Sequence, residues 1–202
     1  MKQIAVIIVF LIILWMIYTP SPKKCNNIDG RCYRIVSKYD ADTHSEASQT
    51  LAHLNTFALK LIRHLRNKYL WQKQGSREQR DMVEFLMFNY NPDNIIENSP
   101  NTNVNTSYVE DKGKVFAICI REKQSGKNII HDRHILEFVV LHEMSHLANK
   151  TIGHGPEFWK TFKFMLQEAY ELGIHTPVDY SKHPINYCSL PVNYNPYFDK
   201  TL

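Results

Sequence analysis

From Ile135 to Lys150 the chain reads ILEFVVLHEMSHLANK, apolar almost without interruption as far as His142. A helix built from that stretch has no broad face to leave in water, so the rest of the chain must cover it on most sides. This requirement predicts a domain folded around one central helix. Polar residues at its inner end then need a partner or a task, because burying a polar pair is otherwise costly. In H-E-M-S-H, His142 and His146 stand four apart, one turn along the same face, with Glu143 beside the first. Two imidazoles at that spacing can reach one ion, and the neighbouring carboxylate is placed to accept a proton from a water held there. The competing explanation is two satisfied histidines on a polar helix face, and the buried, apolar surroundings of the motif weigh against it.

The next residues, Thr151-Ile-Gly-His-Gly-Pro156, put a third histidine in a turn between glycines. Gly153 lets the chain reverse, and Gly155 with Pro156 opens a second helix, since proline is favoured in a first turn. That helix, 157–172, carries Phe158, Phe162, Met165, Leu166 and Ala169 on one stripe and stops at Gly173. His154 is thereby held at a corner from which it can fold back on the pair. Three protein ligands leave one position open, as catalytic zinc sites do; a structural site is more often closed by a fourth ligand, for which Cys119 is the nearest candidate. The expected site is therefore His142, His146 and His154 as ligands of Zn2+, with Glu143 as the catalytic base of a zinc-dependent endopeptidase acting on polypeptide. A catalytically inactive zinc-binding module is the alternative. Tyr180, Tyr187 and His183 are the candidates for a second oxyanion donor, and the strand expected over 114–121 is the natural edge for an extended peptide. His131 and His134, which flank Asp132-Arg133, are expected to cap or line the approach to the metal helix. His44, His53, His64, His175 and His183 show no comparable arrangement.

Upstream, Ala47, Leu51, Leu54, Ala58, Leu61 and Leu65 recur at spacings of three and four, predicting an amphipathic helix over roughly 46–69 capped by Ser45 or Thr43. Its polar side and the following loop are basic (Lys60, Arg63, Arg66, Lys68, Lys73, Arg77, Arg80). A solvated helix face accounts for this; contact with nucleic acid or an anionic membrane surface is the weaker reading. Met82 to Tyr90 reads as a helix stopping before Pro92. Residues 89–105 hold seven asparagines and two prolines, the composition of a long surface loop. Segments 106–110 and 114–121, either side of Asp111-Lys112-Gly113, predict a hairpin.

Ile4 to Tyr18 is an uncharged apolar run of fifteen residues. Fifteen is short of the roughly 20 that a span needs, and Tyr18-Thr19-Pro20-Ser21 lacks the small residues of a signal cleavage site. An uncleaved anchor is the favoured reading over a cleaved signal. It predicts a single-pass membrane protein, with membrane contact through residues 4–18 and the domain on the cytoplasmic side by the count of Lys23, Lys24, Arg31 and Arg34 against Lys2. The organisation expected is an anchor over 1–20, a polar linker over 21–44 and a domain over 45–202. Cys25 and Cys32 enclose a turn that a disulfide could close, but free thiols are the default reading for the four cysteines, and no C-x-x-C is present.

HEMSH followed by GHGPEFW, together with DY at 179–180 and YCSLPVNYNP at 187–196, resembles the SprT-like and WLM-type zinc metallopeptidases, and is similar to membrane-anchored members encoded by large DNA viruses. The resemblance implies an α+β, compact zincin-like metallopeptidase domain with a small antiparallel sheet beside a central HExxH helix, preceded here by the N-terminal transmembrane helix. It also implies His142, His146 and His154 as ligands, Glu143 as base, and, for SprT-like proteins, action on proteins bound to nucleic acid. Ser189 departs from the pattern, standing where such viral proteins tend to carry glycine.

Overall fold

A computed structural model describes residues 22–36, 41–98, 106–122 and 129–202. The fold is α+β. Strands β1 (Lys23–Cys25) and β2 (Cys32–Arg34) are followed by helices α1 (Ala41–Leu65) and α2 (Arg77–Asn89), then by β3 (Ile95–Glu97), β4 (Tyr108–Glu110) and β5 (Val115–Ile118). Helices α3 (Arg133–Ala148) and α4 (Pro156–Glu171) come next, and β6 (Ile185–Tyr187) with β7 (Leu190–Val192) closes the order of main elements.

Helix α3 is central, as its composition requires. It packs on α1, α2, α4 and β4, and both its apolar half and Glu143, Met144, Ser145 and Leu147 are buried. The stripe expected on α1 is the one that faces inward: Ala47, Leu51, Leu54, Ala58, Leu61 and Leu65 are all buried. The helix begins earlier than its capping residues suggested, so Thr43 and Ser45 lie within its first turns, and it runs on into a π-helical turn at Arg66–Trp71. Helix α2 starts on a capping box in which Ser76 and Gln79 exchange side-chain and backbone bonds.

The small antiparallel sheet of the zincin expectation is corrected to an open, mixed one of five strands in the order β1-β2-β3-β5-β4. The expected hairpin exists, with β4 antiparallel to β5. On its other side β5 takes β3 in parallel, in the register Ile95↔Phe116, Ile96↔Ala117 and Glu97↔Ile118. Strand β3 also pairs in parallel with β2, in the register Arg34↔Ile96, and the crossover through α1 and α2 between those two strands permits it. The stretch read as a long loop thus supplies a central strand, held because Ile95 is buried and because the buried Glu97 carboxylate accepts from Val36 N–H (2.8 Å) and from Arg121. The interval 21–44 likewise carries β1 and β2, with Tyr33 and Ile35 in the core, and is not a linker throughout. Gly113 is required in the β4–β5 turn: at φ +97° an added Cβ would stand 2.1 Å from the Asn89 carbonyl oxygen.

The transmembrane expectation is corrected too. No helix among the described residues is long and apolar enough to cross a membrane. The run 4–18 lies outside the described residues, so membrane contact and a single-pass, cytoplasmic-facing topology are not part of the structure. The cysteines are not free thiols: Cys25 pairs with Cys32 across the β1–β2 hairpin, and Cys119 with Cys188. Disulfides persist where the surroundings are oxidising. Peptide mapping without reductant is expected to recover both linked pairs; free thiols at all four positions would refute the pairing.

Candidate metal centre

The three histidines reach one point from one helix and the corner that follows it. His142 and His146 project from successive turns of α3, and Gly153 at φ 87° turns the chain so that His154 folds back. His154 Nε2 lies 3.0 Å from His142 Nε2 and 3.1 Å from His146 Nε2. At metal–nitrogen distances of about 2.0–2.1 Å, three nitrogens tetrahedrally arranged on one ion stand about 3.3 Å apart, so this donor set fits a single divalent cation. Among the described residues it is the only cluster of such groups able to hold a metal.

Phe158, fully buried on the first turn of α4, fixes this arrangement. Its ring centroid lies 4.8 Å from that of His142, 4.4 Å from His146 and 4.6 Å from His154. The sequence marks Phe158 as a core residue through its stripe but gives no sign that one ring supports all three imidazoles. Burial, joined by the neighbouring imidazoles, holds His142 well below the usual histidine range. Burial first, with His154 and Lys112 adding to it, brings His146 down to about 4, and burial lowers His154. All three rings are therefore neutral near neutral pH, which is the form that ligates a metal. Glu143 is 4% exposed, and its burial alone raises the carboxyl to about 8; a divalent cation held by the three histidines would oppose that shift and favour the carboxylate.

The cluster opens on a cleft of about 890 Å³. One side is residues 106–112, including β4; the other is the β6–β7 hairpin with Asn193 and Tyr194; Phe138, Val139, Trp159 and Phe162 form its floor. The strand beside the cleft is β4, at the end of the sheet order, whereas β5 (within the expected edge 114–121) is enclosed between β3 and β4.

Of the three residues considered as oxyanion donors, only Tyr187 lines the cleft. Its hydroxyl donates to the Cys119 carbonyl (2.7 Å) and meets Ser107 Oγ at 2.6 Å, while Ser107 Oγ accepts from Cys119 N–H. Tyr180 is buried against Phe138, and His183 is exposed outside the cleft. His131 accepts from Cys188 N–H at 3.2 Å, so it pins the hairpin, and the cap on α3 is Asp132. Cys119, bonded to Cys188, is no metal ligand. The wall formed by β6 and β7 escapes sequence reading because its strands have three residues each. Its two-residue turn holds Cys188 at φ 47° and Ser189 at φ 71°, in the left-handed region that favours glycine, so serine stands where the backbone would prefer glycine.

Compared with known proteins, the chain matches no family model, and no solved structure matches it. It is similar to uncharacterized protein R325 of Acanthamoeba polyphaga mimivirus, 35% identical over 99 residues that make up 49% of each chain. Uncharacterized protein 136R of Invertebrate iridescent virus 6 is 36% identical over 83 residues, 41% of this chain and 44% of that protein. Uncharacterized protein 042R of Invertebrate iridescent virus 3 is 33% identical over 99 residues, 48% and 58% of the two. The chain spans about half the length of the curated relatives it matches. These distant viral proteins carry no assigned activity in their names. Membership of the SprT-like or WLM-type metallopeptidases is corrected accordingly: the short histidine motifs that suggested it are not accompanied by a match to any family model.

Proposed function

We propose that the chain is a zinc-dependent hydrolase of peptide bonds. The observation that carries this reading is the convergence of three Nε2 atoms with no fourth protein ligand among the described residues, beside a buried carboxylate and open to a cleft. Nitrogen-only, borderline donors suit zinc. A zinc ion held by His142, His146 and His154 would supply Lewis-acid polarisation of a peptide carbonyl and acidify water beside it. Glu143, adjacent to His142 on the cleft side of α3, takes the proton of the attacking water and delivers it to the leaving amine. The β4 backbone offers N–H and C=O groups along one lip of the cleft, and an extended peptide can pair with such an edge whatever its sequence. Phe158 keeps the imidazoles converged, and the apolar floor limits water around the reacting bond.

The test is direct. The full chain loaded with zinc is expected to cleave members of a broad peptide library, to lose that activity with a chelator and to regain it with added zinc. A zinc-loaded chain that cleaves nothing in the library refutes the hydrolase and leaves a metal-binding module.

A further inference from the structure

Three exposed apolar side chains line the cleft. Ile152 is 93% exposed, Leu190 48% and Tyr194 39%. They come from separate places: the turn after α3, the first residue of β7 and the segment beyond β7. Apolar groups brought together on a surface mark a contact site more often than scattered ones do. Beneath them the floor continues in kind. Phe138 and Phe162 have ring centroids 5.1 Å apart, Phe162 is 5.1 Å from His142, and Val139 and Val192 join the same lining.

Charge is kept to the margins of this surface. Lys112 Nζ is spent on the carbonyls of Asn149 (2.8 Å) and Lys150 (3.4 Å). Asp111 pairs with Lys114 at 3.2 Å, and Glu110 ends β4 with its side chain exposed. Beside the polar groups of 106–112, Thr151, Asn193, the histidines and Glu143, the cleft offers a bound side chain an apolar lining of Phe138, Val139, Trp159, Phe162, Leu190 and Val192.

We propose that Ile152, Leu190 and Tyr194 are specificity-determining residues, and that the cleft selects extended polypeptide carrying a large aliphatic or aromatic side chain next to the bond brought to the histidine cluster. This rests on the reading of the cleft as the substrate site of a peptide hydrolase. The exposed lips gain cover only when such a side chain lies between them, and burying one Leu- or Phe-sized group there corresponds to roughly 10- to 100-fold in affinity.

Binding separates this proposal from the chemistry. The full chain with Glu143→Gln, loaded with zinc, is titrated by fluorescence anisotropy against two labelled, unstructured peptides that differ only in a central Phe or Ser. The Phe peptide is expected to bind at least about tenfold more tightly. Adding Ile152→Asp and Leu190→Asp, both at exposed positions, is expected to abolish the difference while zinc stoichiometry is unchanged. Equal affinities for the two peptides, or a preference that survives both aspartates, would overturn it. A Phe preference in binding without cleavage by the unmodified chain keeps this specificity and removes the hydrolase; cleavage with no apolar preference does the reverse.

Discussion

The full chain carrying Glu143→Gln is expected to fold and retain zinc, yet to lose polypeptide cleavage by roughly 10²-fold or more, the contribution of a positioned general base. Three histidines would hold the ion equally well in an enzyme and in an inert scaffold, so metal binding does not discriminate between them. Glu143 does. It is buried beside His142 without belonging to the histidine cluster, so in the proposed hydrolase its carboxyl serves to move a proton. Glutamine keeps the size and removes the base. Zinc content by atomic absorption, paired with library cleavage followed by mass spectrometry, checks both halves of the result. Cleavage at the unmodified rate would show that another group carries the proton.

Replacing His142, His146 or His154 with alanine is expected to weaken zinc retention by roughly 10²-fold or more. The arithmetic is simple: about 10–16 kcal/mol of apparent zinc affinity shared among four ligands gives about 3 kcal/mol each, or somewhat over 10²-fold. His154 is the most informative of the three, because it is exposed and its removal leaves no cavity in the core. His154→Ala is therefore expected to melt, free of metal, at the temperature of the unmodified chain while losing zinc readily in competition with a chelator. Unchanged zinc affinity in this variant would take His154 out of the ligand set.

What the sequence made legible was what local chemistry dictates. The inward stripe of α1, the all-round burial of α3, the proline start of α4 and the corner that carries His154 each depend on residues within a few positions of one another. The hairpin of β4 and β5 was legible for the same reason, through its turn. Strand β3 was not: three residues carry too little period to stand out, and asparagines on either side of Ile95 and Ile96 disguise a strand held from outside by Phe116, Ala117 and Ile118. The same holds for β2 within an otherwise polar interval. The join of Cys119 to Cys188, across 69 positions, depends on where two distant elements meet. The free edge was assigned to 114–121, because nothing local to that strand reveals that β3 occupies its other side. The apolar lips are not legible in the sequence because Ile152, Leu190 and Tyr194 come to line one cleft only through the fold.

The ligands of the metal centre are close together along the chain, four positions separating the first two and eight the last two. Closing such short loops costs little entropy even before the domain has formed. An unfolded chain would therefore keep some hold on a divalent ion, and the ion would stabilise the native state by less than its affinity for the finished site, since only differential binding counts. The Cys119–Cys188 link acts in the opposite sense: it encloses the whole metal segment and restricts the unfolded chain over a long loop. Capturing the ion and closing the domain are in this way separate events, the first set by a dozen adjacent residues and the second by contacts between distant ones.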